Sequence, residues 1–228
     1  MRDYHLLAIE TATAACSAAL YLDGEVRERY ALAPRRHAAL ILPMVDSLLA
    51  EADLAVGRLD AIAFGRGPGS FTGVRIAASI TQGIALAADL PVVAVSTLAA
   101  LALGAMRTSG EHRILAVLDA RMAEVYQGAY VQDAGTLVQL LGAEGVSAPQ
   151  ALTLPDETGW LGAGSGWASY ESQLREVLGQ HIRDVLPDLE PRAGDVARLG
   201  ADRLGRGETL RPEQAVPVYL RNRVAREP

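Results

Sequence analysis

The apolar and polar positions divide the chain into short strands and longer helices. Leu6 to Glu10, Ala15 to Leu22 and Glu25 to Leu32 read as three consecutive strands, with Asp23-Gly24 as a two-residue hairpin turn. His37 to Ala52 then reads as a helix, Ala61 to Phe64 as a strand, Gly73 to Ala88 as a helix, Val92 to Val95 as a strand and Thr97 to Met106 as a helix. The order βββαβαβα implies a mixed, mostly parallel sheet covered by helices, an α/β fold. A second pass starts at Arg113. Ile114 to Leu118 closes on Asp119 as the first strand closes on Glu10, and strands Glu124 to Val131 and Leu137 to Leu141 follow, with Asp133-Ala134-Gly135 as the turn between them. This self-similarity predicts two lobes with a cleft between them, residues 1–108 and 109–228. Beyond Pro149 the pattern gives a strand near Trp160 to Gly162 and helices near Ala168 to Leu178 and Ala193 to Leu204. The tail, Pro217 to Asn222, is expected to return to the first lobe.

Two of these helices carry more apolar surface than one sheet face needs. From His37 to Ala52 the polar positions are essentially Asp46, Ser47 and Glu51, which leaves two stripes, His37/Ile41/Met44/Leu48 and Ala38/Leu42/Val45/Leu49. Between Gly73 and Ala88, Arg75, Ser79 and Gln82 form a thin polar line, while Gly73, Ala77, Thr81 and Ala85 recur every four residues and would let another helix approach closely. One stripe serves the lobe's own sheet. The excess predicts either a protein partner or cover by the second lobe, and the partner is preferred. Its expected contact set is His37, Leu40, Ile41, Met44, Val45 and Leu48 with Val74, Ala77, Ala78, Thr81 and Ala85.

Composition narrows the classes. The 228 residues are 50% hydrophobic, ample for a buried core. A net charge of −6 argues against a broad nucleic-acid footprint. Cys16 is the only cysteine and reads as a small buried hydrophobe in a reducing compartment. The apolar run before Glu10 is too short for a signal peptide, and the stretch from Ile84 to Met106 is broken by Asp89 and Pro91. The expectation is a cytoplasmic protein without a membrane segment.

The segment Gly65-Arg66-Gly67-Pro68-Gly69-Ser70-Phe71-Thr72-Gly73-Val74-Arg75 joins a strand to a helix, the setting in which bare N–H groups hold phosphate. A Walker loop needs a lysine, and all 21 basic residues are arginine, so a P-loop NTPase is excluded. Gly162-Ala163-Gly164-Ser165-Gly166-Trp167 places tryptophan where a dinucleotide fingerprint has its last glycine. Ser70 follows Pro68-Gly69, which is no nucleophile elbow, and reads with Thr72 as a helix cap. His5, His37, His112 and His181 show no metal-binding spacing. Glu10 and Asp119 end equivalent strands and would either face each other for metal or acid–base work or cap turns. Asp119 reads as a turn cap, and Glu10 stays open between the two. A vestigial nucleotide site would draw on Glu10, Thr11, Thr13, Gly67, Gly69, Ser70 and Arg75, with Arg66 or Arg75 lending charge. The preferred alternative is that the loop is a structural turn.

Leu7-Ala8-Ile9-Glu10-Thr11-Ala12-Thr13, His37 with Leu42-Pro43-Met44-Val45, Gly65 to Ile76, Val95-Ser96-Thr97-Leu98, Leu118-Asp119-Ala120-Arg121-Met122 and Pro217-Val218-Tyr219-Leu220-Arg221 together resemble the TsaB (YeaZ) family. The resemblance spans nearly the whole chain, and the Gly-Arg-Gly-Pro-Gly-Ser-Phe-Thr-Gly block is its most specific part. It implies an actin-like (ASKHA, ribonuclease H-like) fold and a role in forming N6-threonylcarbamoyladenosine at position 37 of tRNAs reading codons that begin with A. It also implies that the transferase is a paralogue, TsaD, carrying a His-x-x-x-His motif, for which this chain has only Ser96-Thr97-Leu98-Ala99-Ala100-Leu101. Its members pair with TsaD through their first two long helices, and the TsaE ATPase joins at the interface. A homodimer is expected when the chain is alone, and tRNA is expected to be met only through the complex. Many relatives have Asp where Glu10 stands. The expectation is a non-catalytic scaffold that requires no cofactor and no metal. The alternative is an enzyme, either an ASKHA phosphotransferase or a glycoprotease-like peptidase.

Overall fold

The computed structural model describes residues 4–132, 137–155 and 158–221. Two five-stranded mixed sheets organise it. The first contains β1 (His5–Glu10), β2 (Ala15–Leu22), β3 (Glu25–Leu32), β4 (Ala61–Gly65) and β5 (Val92–Val95) in the order β3-β2-β1-β4-β5. β1 runs antiparallel to β2 and parallel to β4, so its end at Glu10 lies beside the end of β4 at Gly65. The second contains β6 (Arg113–Arg121), β7 (Glu124–Val131), β8 (Gln139–Ser147), β9 (Trp160–Ala163) and β10 (Ile182–Leu186) in the order β10-β9-β6-β7-β8. This is the mixed α/β architecture that the strand pattern implies, and the resemblance implies its actin-like class.

The helices form layers. On one face of the first sheet, α1 (His37–Glu51) and α2 (Phe71–Ala88) bury Ile41, Val45, Leu48, Ala77 and Ala85 against Leu7, Ile9, Ile62 and Phe64. On its other face lie α3 (Thr97–Ser109) and α5 (Ala193–Gly205). α3 packs at the same time on Ile114, Ala116 and Leu118 of β6, so one core joins the two sheets through an almost wholly buried helix. α4 (Ser165–Leu178) covers the remaining face of the second sheet, with Trp160 and Trp167 at its centre. α5 comes late in the chain yet packs on β1, β2 and β4 of the first sheet.

Several elements differ from the sequence expectation. β8 runs from Gln139 to Ser147, beyond Leu141, because Gly142, Glu144 and Gly145 hide the apolar pattern of a half-exposed edge strand. The turn expected at Asp133-Ala134-Gly135 and the tail's Asn222 lie outside the described residues. β10, not anticipated, is a short, partly exposed edge strand parallel to β9. Between β8 and β9 a 3-10 turn, Pro149–Ala151, stands among the described residues where the first lobe has α1. In the sequence the longest apolar region is Ile84 to Met106. Among the described residues the helix that meets the length and composition of a span is instead α2, at 18 residues. Here α2 is seated on the first sheet by one stripe, and its surplus apolarity lies on the outward arc.

Candidate functional site

The glycine loop folds onto the end of β1. Gly73 lies against the backbone of Thr11, where a Cβ would come within 2.0 Å of the carbonyl oxygen, and a Cβ on Gly69 would reach the Ala12 carbonyl at 2.5 Å. The approach is sealed by hydrogen bonds. Ser70 N–H donates to Ala12 O (2.7 Å), and the Thr11 hydroxyl donates to Gly73 O (2.7 Å). Ser70 Oγ accepts from Gly73 N–H (3.1 Å), capping α2. From the other side, Arg66 N–H donates to Val95 O, Thr97 N–H to Gly67 O and Val218 N–H to Arg66 O, so β5, α3 and the tail all hold the loop.

Glu10 sits at the centre of this junction, fully buried. Its Oε1 accepts from Ala12 N–H (2.7 Å), and its Oε2 accepts from the Thr97 hydroxyl (3.0 Å). Gly65 makes room for it, since a Cβ there would stand 2.0 Å from Oε2. Burial pushes the carboxyl pKa up to about 7 in spite of the Ala12, Thr97 and Thr11 hydrogen bonds that oppose the shift. The remaining residues of the nucleotide constellation are also engaged. Thr13 Oγ1 accepts from Ala15 N–H (3.3 Å). Gly67 is buried behind the Val218 carbonyl. Arg75 lies flat on the Phe71 ring, with its Cζ 3.2 Å from the centroid. Asp119 accepts from Arg121 N–H (2.8 Å) and pairs with its guanidinium (3.1 Å), capping the β6–β7 turn. Among the described residues no group of three or more His, Cys, Asp or Glu side chains is placed to hold a metal ion.

The expected partner face has to be redrawn. His37, Ile41, Val45, Leu48, Val74, Ala77, Ala78, Thr81 and Ala85 are all buried within the chain, and only Leu40 and Met44 of the expected set keep partial exposure. The four-residue stripe of α2 faces inward because Gly73 must lie on Thr11, which fixes the helix's rotation. His37 is likewise spent, its Nε2 sitting 3.2 Å from Ala15 O and tying the start of α1 to β2. The outward arcs are nevertheless apolar. α1 shows Ala38, Ala39, Leu42 (46% exposed) and Pro43, and α2 shows Ile76, Ile80, Gly83, Leu86 (62% exposed) and Ala87. A Cβ on Gly83 would meet nothing within 4 Å.

Sequence reasoning missed the junction of the lobes. Glu144 of β8 accepts hydrogen bonds from the Ser96 and Tyr130 hydroxyls and faces Arg66 at 3.9 Å, while Ser96 Oγ accepts from Leu98 and Ala99 N–H to cap α3. Burial and the neighbouring carboxylate hold the Tyr130 phenol well above its ordinary range. The available signal was the lone acid in the glycine-rich run Gly142-Ala143-Glu144-Gly145.

A family model described as "TsaD: tRNA N6-adenosine threonylcarbamoyltransferase" matches residues 31–173. The tRNA threonylcarbamoyladenosine biosynthesis protein TsaB of Escherichia coli (strain K12) is 42% identical over 226 residues, covering 96% of this chain and 96% of its own. The protein of that name from Bacillus subtilis (strain 168) is 30% identical, covering 95% and 93%. Among solved structures, YeaZ from Pseudomonas aeruginosa has a TM-score of 0.89 at 45% identity, covering 95% of this chain and 100% of its own.

Proposed function

Because this chain belongs to the TsaB (YeaZ) family, we propose that it serves the formation of N6-threonylcarbamoyladenosine at position 37 of tRNAs reading codons that begin with A. Its part is that of a non-catalytic scaffold. The outward arcs of α1 and α2 bind a TsaD transferase, a TsaE subunit joins at that interface, and a second copy of the chain takes the face when the transferase is absent. The observation that carries this reading is the outward arc of α2, where Ile76, Ile80, Gly83 and Ala87 follow one another at helical spacing on a surface the chain itself leaves partly or fully open. A stripe with a glycine at its middle suits close helix packing better than it suits water.

The engaged state of the glycine loop supports the non-catalytic side. Glu10 and Thr11 are sealed among protein donors and acceptors, and Ser70 caps a helix, so the loop works as a turn that aims α2. The reading requires no cofactor. It is tested by supplying the purified chain with threonylcarbamoyl-adenylate and unmodified tRNA. The expected result is unmodified tRNA until TsaD is added, followed by modified nucleoside detected by mass spectrometry. Product formed by this chain alone would overturn the assignment.

A further inference from the structure

Three separate blocks of the sequence meet at one surface beside the glycine loop. The start of α2 supplies Phe71 and Arg75, the tail supplies Tyr219 and Arg221, and the β6–β7 turn supplies Met122. Phe71 is 63% exposed and Tyr219 49%, and their ring centroids lie 6.5 Å apart at 37°. The Arg75 guanidinium is 3.2 Å from the Phe71 centroid and 5.1 Å from that of Tyr219. Hydrogen bonds hold the support. Arg221 donates to Ala120 O (3.1 Å), Arg121 O (3.4 Å) and Glu124, and so braces a turn in which Arg121, Met122 and Ala123 all have φ between 57° and 62°.

We propose that Phe71, Arg75 and Tyr219 form a stacking platform for an unpaired nucleotide of an RNA strand. Charge selects this occupant. Among the described residues, the acids on the β6–β7 and β8 side are paired, Asp119 with Arg121, Glu124 with Arg221 and Glu144 with Arg66, and Glu190, on the Thr13 side of the loop, is partly buried. Arg75, by contrast, lies within 4.0 Å of no carboxylate among the described residues, and it stands in the first turn of α2, where the helix dipole already favours an anion. Arg75 covers one face of Phe71, so a base stacks on an open ring face or on the guanidinium plane itself, whatever its identity, while the guanidinium edge meets its phosphate. A platform of one or two nucleotides is compatible with a chain of net charge −6, because it needs no broad basic face.

This inference rests on the reading that the chain works in an RNA-modifying complex, and its test separates the two. The full chain, alone and together with the transferase, is photo-crosslinked to a short RNA hairpin whose unpaired loop carries bromouridine. Crosslinked peptides should come from residues 66–75 and 216–221. Their yield should fall roughly tenfold in Arg75→Gln and Tyr219→Ala and persist in Tyr219→Phe, which keeps the ring. No crosslink in these segments, or equal yield in Arg75→Gln and Tyr219→Ala, would overturn the platform. So would competition by adenosine monophosphate equal to that of the hairpin, which would mark a mononucleotide site, or loss of a protein subunit with crosslinking intact, which would mark a protein surface. Failure of wild-type chain to co-elute with the transferase would count against the scaffold, while crosslinks to the chain alone judge the platform by themselves.

Discussion

Glu10, which the sequence leaves open between a site residue and a turn cap, is enclosed by the protein's own groups. An acid at the end of a first strand, followed by hydroxyls, fits a nucleotide site, but its carboxylate is wholly enclosed by Ala12 N–H, the Thr97 hydroxyl and the bare face of Gly65. Enclosure raises its pKa from 4.5 to about 7, so the folded state holds the proton more tightly than the unfolded chain. A raised pKa contributes stability that is fully present below about pH 4.5 and is lost as pH rises through about 7. Glu10→Gln should therefore flatten the fall in stability between those limits and leave the variant more stable at pH 8, by on the order of 2 kcal/mol. Denaturant melts across that range check it, and an unchanged pH slope would contradict the assignment. Nothing in the sequence marked Thr97 and Gly65 as the enclosing groups, because their roles arise from β1, β4 and α3 meeting end to end.

At the scale of the element, apolar content was legible and rotation was not. The sequence identifies α1 and α2 as helices with surplus apolar arc, but it assigns the small-residue stripe of α2 to a partner. The deciding contact, Gly73 on Thr11, is between residues 62 positions apart and carries no periodic signal. Two substitutions measure the rotation. Gly73→Ala must displace backbone and should cost about 2–3 kcal/mol or prevent folding. Gly83→Ala points into open space and should stabilise by about 0.5–1 kcal/mol. Thermal melts giving both variants the same sign would refute this orientation of α2. The same limit explains β8 and β10. Glycines in β8 and exposed charges in the short β10 leave little alternation to read, whereas β1, β2, β4, β5 and the alternating edge strand β3 were found nearly to the residue.

For the whole molecule, the sequence predicts a repeat of two lobes, and what it does not show is how the two sheets are joined. α3 serves both sheets and α5 returns to the first, so the lobes share one core and the junction is locked by Glu144, Ser96 and Arg66. Under the proposed scaffold role, a shared core would hold the binding face in one shape, which lowers the ordering cost of binding. The most direct measurement of the central claim is the affinity of the chain for TsaD, read by calorimetry for wild type and for Gly83→Glu. The substituted side chain enters open space in the free chain, so folding and melting temperature should be preserved. In the complex it would bury an unpaired charge, and the expected loss of affinity is roughly a hundredfold. A dissociation constant unchanged by Gly83→Glu, in a variant that folds as the wild type does, would contradict the α1–α2 face as the binding surface.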